Sequence, residues 1–271
     1  MELSKMKVTL ITGASGGIGK AFARKLAAEK HNLLLVARSR GKLDVLCKEL
    51  IEEHHITAQY IALDLITKDA DQIIFEETEK RDLTVDCLVN NAGVGSAGDF
   101  IDLDLHKELD IISLNISFLT SLTFRYLKQM RERNSGTIIN IGSMASFQPT
   151  PFQAVYAASK AFVRSFTEAL VAENKPFKIN ILLLCPGLTE TNFFQGGEMS
   201  IQDKKTLAGN ISFQSPEEVV EEGLTALRKH KTSIISGSKN RLLISMGYLF
   251  PNSMLSNIMA NKFRSHFQPK K

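Results

Sequence analysis

Val8-Thr9-Leu10-Ile11-Thr12-Gly13-Ala14-Ser15-Gly16-Gly17-Ile18-Gly19 sets a short apolar run directly against a glycine-rich one. Residues 8–11 read as a buried strand. Residues 20–29 have helical composition, with Ile18, Phe22 and Leu26 spaced along one face. Strand, glycine loop and helix form the context that a dinucleotide-binding turn requires. Glycines permit tight backbone geometry and close approach of phosphate oxygens. The helix N-terminus offers unpaired N–H groups and a positive dipole end to a pyrophosphate. The spacing is G-x-x-x-G-x-G rather than G-x-G-x-x-G. On these residues alone, any glycine-rich strand-to-helix turn stays open as the alternative.

Strand and helix alternate along the rest of the chain. Strands are predicted at 33–37, 58–63, 86–90, 137–141, 178–184 and 232–235. Helices are predicted at 42–53, 69–81, 105–133 (with a break near Ser117) and 155–173. Continuous apolar strands between amphipathic helices indicate a parallel sheet covered on both faces. Ser215-Pro216-Glu217-Glu218 opens a further helix, with Ser215 as cap, Pro216 in the first turn and Glu218 completing a capping box. There is no internal repeat, low-complexity stretch or domain linker.

Tyr156 and Lys160 stand four residues apart in a helical run, so they share one face. An ammonium beside a phenol favours the phenolate and lowers the tyrosine pKa from about 10. A tyrosine so tuned can exchange a proton with an alcohol or carbonyl oxygen. Taken alone, the pair reads more readily as a surface tyrosine near a surface lysine.

Taken in order, these motifs resemble the short-chain dehydrogenase/reductase family over roughly residues 5–235. The run is Thr12-Gly13-x-x-x-Gly17-Ile18-Gly19, Asp64, Asn90-Asn91-Ala92-Gly93, Asn115, Ser143, Tyr156, Lys160 and Pro186-Gly187. The resemblance implies an α/β fold: a Rossmann-like doubly wound parallel sheet in a single domain, 1–271, with a C-terminal helical extension at about 238–271. It implies hydride transfer between a nicotinamide cofactor and a carbonyl/alcohol substrate without metal. Ser143 would hydrogen-bond the substrate carbonyl, Tyr156 would donate the proton, and Lys160 would tune Tyr156 and hold the nicotinamide ribose. Asn115 would hold a water linking Lys160 to solvent. Thr12, Gly13, Ser15, Gly17, Ile18 and Gly19 would cradle the pyrophosphate, and Asp64 would meet the adenine. Asn91, Ala92 and Gly93 would lie beneath the cofactor. Pro186, Gly187, Thr189 and Thr191 would border the nicotinamide. The second strand ends Val36-Ala37-Arg38-Ser39-Arg40, with Ala37 where the family's NAD-selective acid would fall. Arg38 can pair with a 2′-phosphate, so NADP(H) is expected over NAD(H). The alternative is that Arg38 and Arg40 are solvent charges.

The chain of 271 residues is 44% hydrophobic and 23% charged with a net charge of +4, which suits a globular protein able to bury a core. The mild charge, read as spread out, gives nucleic-acid binding little support. No run approaches the ~20 apolar residues of a membrane span, and the N-terminus lacks a signal-peptide core. Cys47, Cys87 and Cys185 have no metal-ligand spacing and read as reduced thiols of a cytoplasmic protein. His54-His55 read as a solvated helix end.

An active-site lid is expected at about 188–214, where Phe193, Phe194, Met199 and Leu207 read either as its apolar lining or as ordinary packing residues. The extension combines a short apolar stretch at 241–251 with an amphipathic helix at 252–267. It either docks on the body and narrows the substrate mouth, covers a subunit interface, or lies on a membrane surface. With Leu249, Phe250, Met254 and Met259 added to the lid residues, a substrate with an apolar body is expected: an acyl chain, a ring ketone or a hydrophobic aldehyde. Apolar positions on the helices beginning near Leu105 and Val155 predict a homodimer or homotetramer. The rival functions are an extended-family epimerase or dehydratase, and a redox-sensing protein that uses the cofactor as a ligand.

Overall fold

The seven strands of the sheet run in the order β3-β2-β1-β4-β5-β6-β7, and every pairing is parallel. A computed structural model describes residues 5–190 and 213–267. The strands are β1 (Met6–Thr12), β2 (Leu33–Ala37), β3 (Ala58–Ala62), β4 (Leu83–Asn90), β5 (Gly136–Ile141), β6 (Ile179–Cys185) and β7 (Ser233–Ile235). The chain begins at β1, builds outward to β3, then returns to lay β4 against the other side of β1. This reversal opens a crevice at the carboxyl ends of β1 and β4, where sheets of this kind bind ligands. The architecture is the expected Rossmann-like single domain.

Helices α1 (Gly17–Ala28), α2 (Arg40–His54) and α7 (Pro216–Arg228) cover one face through Phe22, Leu26, Leu46 and Leu224. Helices α3 (Ala70–Lys80), α5 (Leu119–Glu132) and α6 (Ala154–Glu173) cover the other through Ile74, Leu122, Tyr126 and Leu170. All five residues of β2 are buried, as a strand covered on both faces requires. The capping box forms as read: Ser215 Oγ accepts from Glu218 N at 3.1 Å, and Ser215 N donates to the Glu218 carboxylate at 2.9 Å.

Two predicted elements differ in instructive ways. β4 begins at Leu83, three residues before the predicted 86–90. Its pairing with β1 skips from Val8↔Val85 to Thr9↔Cys87, so polar Asp86 bulges out of the ladder and the strand continues around it. The predicted helix 105–133 runs unbroken past Ser117. It comprises α4 (Leu105–Ile112), a π-helical turn at Ser113–Phe118, and α5. The wide turn carries Asn115, and such turns recur at functional sites.

The extension forms α8 (Ser238–Gly247) and α9 (Asn252–Phe267), so most of the short apolar stretch is helical. It packs back on the body. Phe267 stacks on Phe152 with ring centroids 5.1 Å apart, and Gln148 Nε2 donates to Met259 Sδ at 3.6 Å. Arg241 bonds Glu222 at 2.9 Å and the Ile235 carbonyl at 2.9 Å. Thr191 and most of the predicted lid, with Phe193, Phe194, Met199 and Leu207, lie outside the described residues. Among the described residues, no helix is long and apolar enough to cross a membrane.

Candidate active site

The crevice between β1 and β4 is built from backbone geometry. Gly13 and Gly17 hold φ of +67° and +51°, which a side chain would strain. A Cβ on Gly19 would collide with the Gly13 carbonyl and the Asn91 amide, so α1 presses close under the loop. Helix α1 is capped by Gly16, without a side-chain cap and without an acid in its first turn. Its leading N–H groups therefore stay available to an anion. The end of β4 locks the loop from the other side. Thr12 Oγ1 accepts from Asn91 N and Ala92 N, each at 3.0 Å, and Asn91 Nδ2 donates to Thr12 O at 2.9 Å.

A cleft of about 390 Å³ opens above this junction. Gly13, Ser15, Gly17 and Ile18 line it from β1 and α1, and Asn91, Ala92 and Gly93 from β4. Arg38 and Asp64 line its far end, where Arg38 Nη1 lies 4.0 Å from the Asp64 carboxylate. Ser39 and Lys42 stand there too. Lys42 was not singled out in the sequence, where it is one lysine of a helix start. Only the turn of α2 brings it beside Arg38.

Ser143 follows β5 and caps a single helical turn, its Oγ accepting from Ala145 N at 3.1 Å. Tyr156, 8% exposed, reaches Ser143 from the first turn of α6 and shares a side-chain hydrogen bond with it. One turn further along α6, Lys160 is 4% exposed and donates from Nζ to the Ile141 carbonyl at 2.9 Å. Its Nζ also lies 3.5 Å from where a Cβ on Gly93 would stand, so the lysine reaches the floor of the cleft.

The titration of this pair departs from the sequence reading. Burial pushes Tyr156 up to about 12, against the pull of the Ser143 hydrogen bond, and burial brings Lys160 down to about 8. Tyr156 therefore moves up rather than down, and the cause is burial rather than Lys160. Both groups sit out of water, which disfavours the phenolate and the ammonium alike, and the Lys160 amine is bonded to a carbonyl.

Asn115 is buried in the π-helical turn, and its side chain is fully engaged with protein groups. Its Oδ1 accepts from Val94 N at 3.0 Å, and its Nδ2 donates to Val94 O at 2.9 Å and to Ser159 Oγ at 3.0 Å. The side chain fixes the segment after Gly93 to the helix carrying Tyr156 and Lys160.

Pro186, Gly187 and Thr189 leave β6 beside the Ser143 turn rather than in the 390 Å³ cleft. Met144 N donates to Pro186 O at 3.0 Å, and Thr189 Oγ1 donates to Gly187 O at 3.1 Å. Asn240 of α8 packs against Gly187. Beneath the site runs a buried polar ladder that the sequence reading missed. Asn90 Nδ2 donates to Asn140 Oδ1 at 2.9 Å across β4 and β5, and Asn140 Nδ2 donates to Thr167 Oγ1 at 3.0 Å on α6. An asparagine at the end of one apolar strand, Asn90, and another one residue before the end of the next, Asn140, are its only sequence signal.

Such a site joins an anion-binding turn, a cationic cleft end and a buried phenol held by a hydroxyl. That combination defines a nucleotide-dependent enzyme that moves a proton at an oxygen atom. The sequence pattern of the short chain dehydrogenase family matches residues 7–199. A 7beta-hydroxysteroid dehydrogenase from Mediterraneibacter gnavus is 31% identical over 236 residues, covering 86% of each chain. An NADP-dependent 3-hydroxy acid dehydrogenase from Schizosaccharomyces pombe is 31% identical, covering 85% of this chain and 90% of its own. The structure of a short-chain dehydrogenase from Sphingobium yanoikuyae in complex with NADPH superposes with a TM-score of 0.79 at 25% identity, covering 98% of both chains. The chain belongs to the short-chain dehydrogenase/reductase family and is an oxidoreductase acting on carbonyl and alcohol groups.

Proposed function

We propose that the chain is an NADP(H)-dependent reductase of apolar carbonyl compounds, with Tyr156 as its proton donor. The observation that carries this reading is the buried Ser143–Tyr156 pair at the carboxyl edge of the sheet, beside a cleft that ends in Arg38. Ser143 would hold the substrate oxygen, stabilising the charge that develops there. Tyr156, at about 12, keeps its proton at neutral pH and would deliver it to that oxygen. Lys160 would meet the ribose next to Gly93, and Asn115 would hold the Val94 segment and α6 in register. The nicotinamide, when bound, supplies the hydride.

The residues present fit that cofactor. Gly13, Ser15, Gly17, Ile18 and the α1 N-terminus suit a pyrophosphate, and Gly19 lets α1 pack close beneath that turn. Thr12, Asn91, Ala92 and Gly93 form the floor. Asp64 would meet the adenine side. Ala37 offers no carboxylate to the ribose, and Arg38 with Lys42 offers cations to a 2′-phosphate. The NADP-dependent relative and the NADPH complex support this choice over NAD(H). Pro186, Gly187, Thr189 and Thr191 are assigned to the nicotinamide side by resemblance.

The apolar substrate body is supported by the steroid named for one relative, whereas the hydroxy acid named for another carries a carboxyl group. Leu249, Phe250 and Met254, expected to line the substrate, are 79%, 45% and 47% exposed, so the extension gives that reading less support than expected. A homodimer is supported by Leu105, Leu109, Ile112 and Phe124, which leave an exposed apolar stripe along α4 and α5. A cytoplasmic location is supported by three free cysteines.

The test is kcat/KM with NADPH and with NADH over a panel of ring ketones, acyl ketones and polar sugars of matched carbonyl reactivity. Higher values with NADPH and the apolar ketones are expected. Preference for the sugars would end the apolar reading. Absence of turnover despite NADPH binding would favour a cofactor sensor.

A further inference from the structure

The net charge of +4 hides a segregation along the chain. Glu222 is the last acidic residue. The 49 residues after it hold nine Lys and Arg and no Asp or Glu. Residues 1–222 hold the other 24 bases and all 29 acids, a net of −5. The reading of charge as evenly spread is therefore wrong for the C-terminal part.

The same part of the chain leaves large apolar side chains in water. Leu242, Leu243 and Met246 are exposed on one side of α8, at spacings of one, three and four residues. Tyr248, Leu249 and Phe250 follow in the turn, with Leu249 79% exposed. Met254 and Ile258 continue the exposed series one turn apart on α9. Lys239, Arg241, Lys262 and Arg264 are exposed on the same two helices. The apolar stripe of α4 and α5 has a different setting: exposed Asp102 and Asp104 precede its first helix, which carries both Lys107 and Asp110.

We propose that the α8–α9 hairpin is a docking surface for an anionic phospholipid membrane. Exposed Leu, Met, Ile, Phe and Tyr side chains beside Lys and Arg, on two helices that carry no acid of their own, are the composition of a helix pair that lies in a bilayer interface; the neighbouring acid Glu222 is neutralised by its ion pair with Arg241. Basic residues at such a surface are drawn to acidic headgroups, and an aromatic turn suits the headgroup level. Neither helix crosses the bilayer, in keeping with their length and exposed charges. Docking would fix the orientation of the whole domain, because α9 is seated on Gln148 and Phe152 of the loop that follows Ser143. The inference does not depend on which carbonyl the enzyme reduces.

Sedimentation of the full chain with vesicles tests it. Vesicles of phosphatidylcholine with roughly one third phosphatidylglycerol are compared with pure phosphatidylcholine, at low and at high salt. A several-fold larger bound fraction on the anionic vesicles, reduced by salt, is expected. The Met246→Glu/Ile258→Glu variant should lose that binding while its circular dichroism spectrum stays that of the parent. If that variant does not fold, Lys239→Gln/Lys262→Gln takes its place, with a several-fold loss expected. No preference for anionic vesicles, or undiminished binding by a folded variant, overturns the proposal. So does light scattering in which Met246→Glu/Ile258→Glu converts an oligomer to a monomer, since the face would then join two copies of this chain.

Discussion

Arg38 and Tyr156 serve the same sheet edge, yet Arg38 has a side chain 68% exposed and Tyr156 is 8% exposed. The Arg38 guanidinium stands 4.0 Å from one carboxylate, in solvent that screens it. Tyr156 sits beside Ser143 and Cys185, where burial above all pushes its titration up to about 12. One end of the site thus attracts a ligand by charge through water, and the other holds a proton by excluding water. Substitutions at the exposed end should grade affinity. Substitutions at the buried end should switch chemistry on or off.

The largest effect is expected at the buried end. Tyr156→Phe removes only a hydroxyl, so NADPH binding by fluorescence titration should stay near the parent value. Turnover should fall about 10²–10⁴-fold, the usual worth of general acid catalysis. Turnover within a few-fold of the parent would erase the contrast between the two ends.

Next comes the wall they share. Gly19→Ala forces a Cβ into the Gly13 carbonyl, and overpacking of this kind costs about 1–3 kcal/mol. A lowered Tm with weaker NADPH and NADH binding alike is expected. Loss of NADPH binding only would place the strain elsewhere.

At the exposed end, Arg38→Ala should lower kcat/KM for NADPH about tenfold relative to NADH, since a hydrogen bond to a charged group is worth about 1.5–3 kcal/mol before screening. The ratio should shrink further as salt rises. Equal losses with both cofactors would mean that Arg38 does not read a 2′-phosphate.

The smallest effect is a pH limb. Lys160, brought down to about 8 by burial, loses its charge as pH rises through that value. If its ammonium helps to receive the cofactor, kcat/KM for NADPH should be about half its neutral value near pH 8 and keep falling above it. Lys160→Ala should abolish the limb. A parent profile flat to pH 9 would contradict the role.

What the sequence made legible follows from the kind of constraint each residue obeys. Gly13, Gly17 and Gly19 answer to backbone geometry that no other residue satisfies, so the turn and its sheet could be read directly. Ser143 and Tyr156 hold a fixed offset between one strand end and one helix, and their side chains meet, while Lys160 one turn on reaches the Ile141 carbonyl. The direction of the Tyr156 shift could not be read, because desolvation depends on β5 and β6 closing over it. Asp86 hid the start of β4, since a charge inside a strand signals an end unless a bulge ejects it. Lys42 joined the cleft through the turn of α2, and Asn240 met Gly187 only because α8 folds back. The segregation of charge after Glu222 was present in the sequence from the start and was concealed by a whole-chain sum.

Transfer of label from NADPH carrying deuterium at the transferable C4 position tests the central claim most directly. The alcohol formed from a ring ketone, analysed by mass spectrometry, should hold one deuterium at the former carbonyl carbon, and Tyr156→Phe should slow its appearance about 10²-fold or more. Bound NADPH with no deuterium in the product of any ketone on the panel would contradict the account.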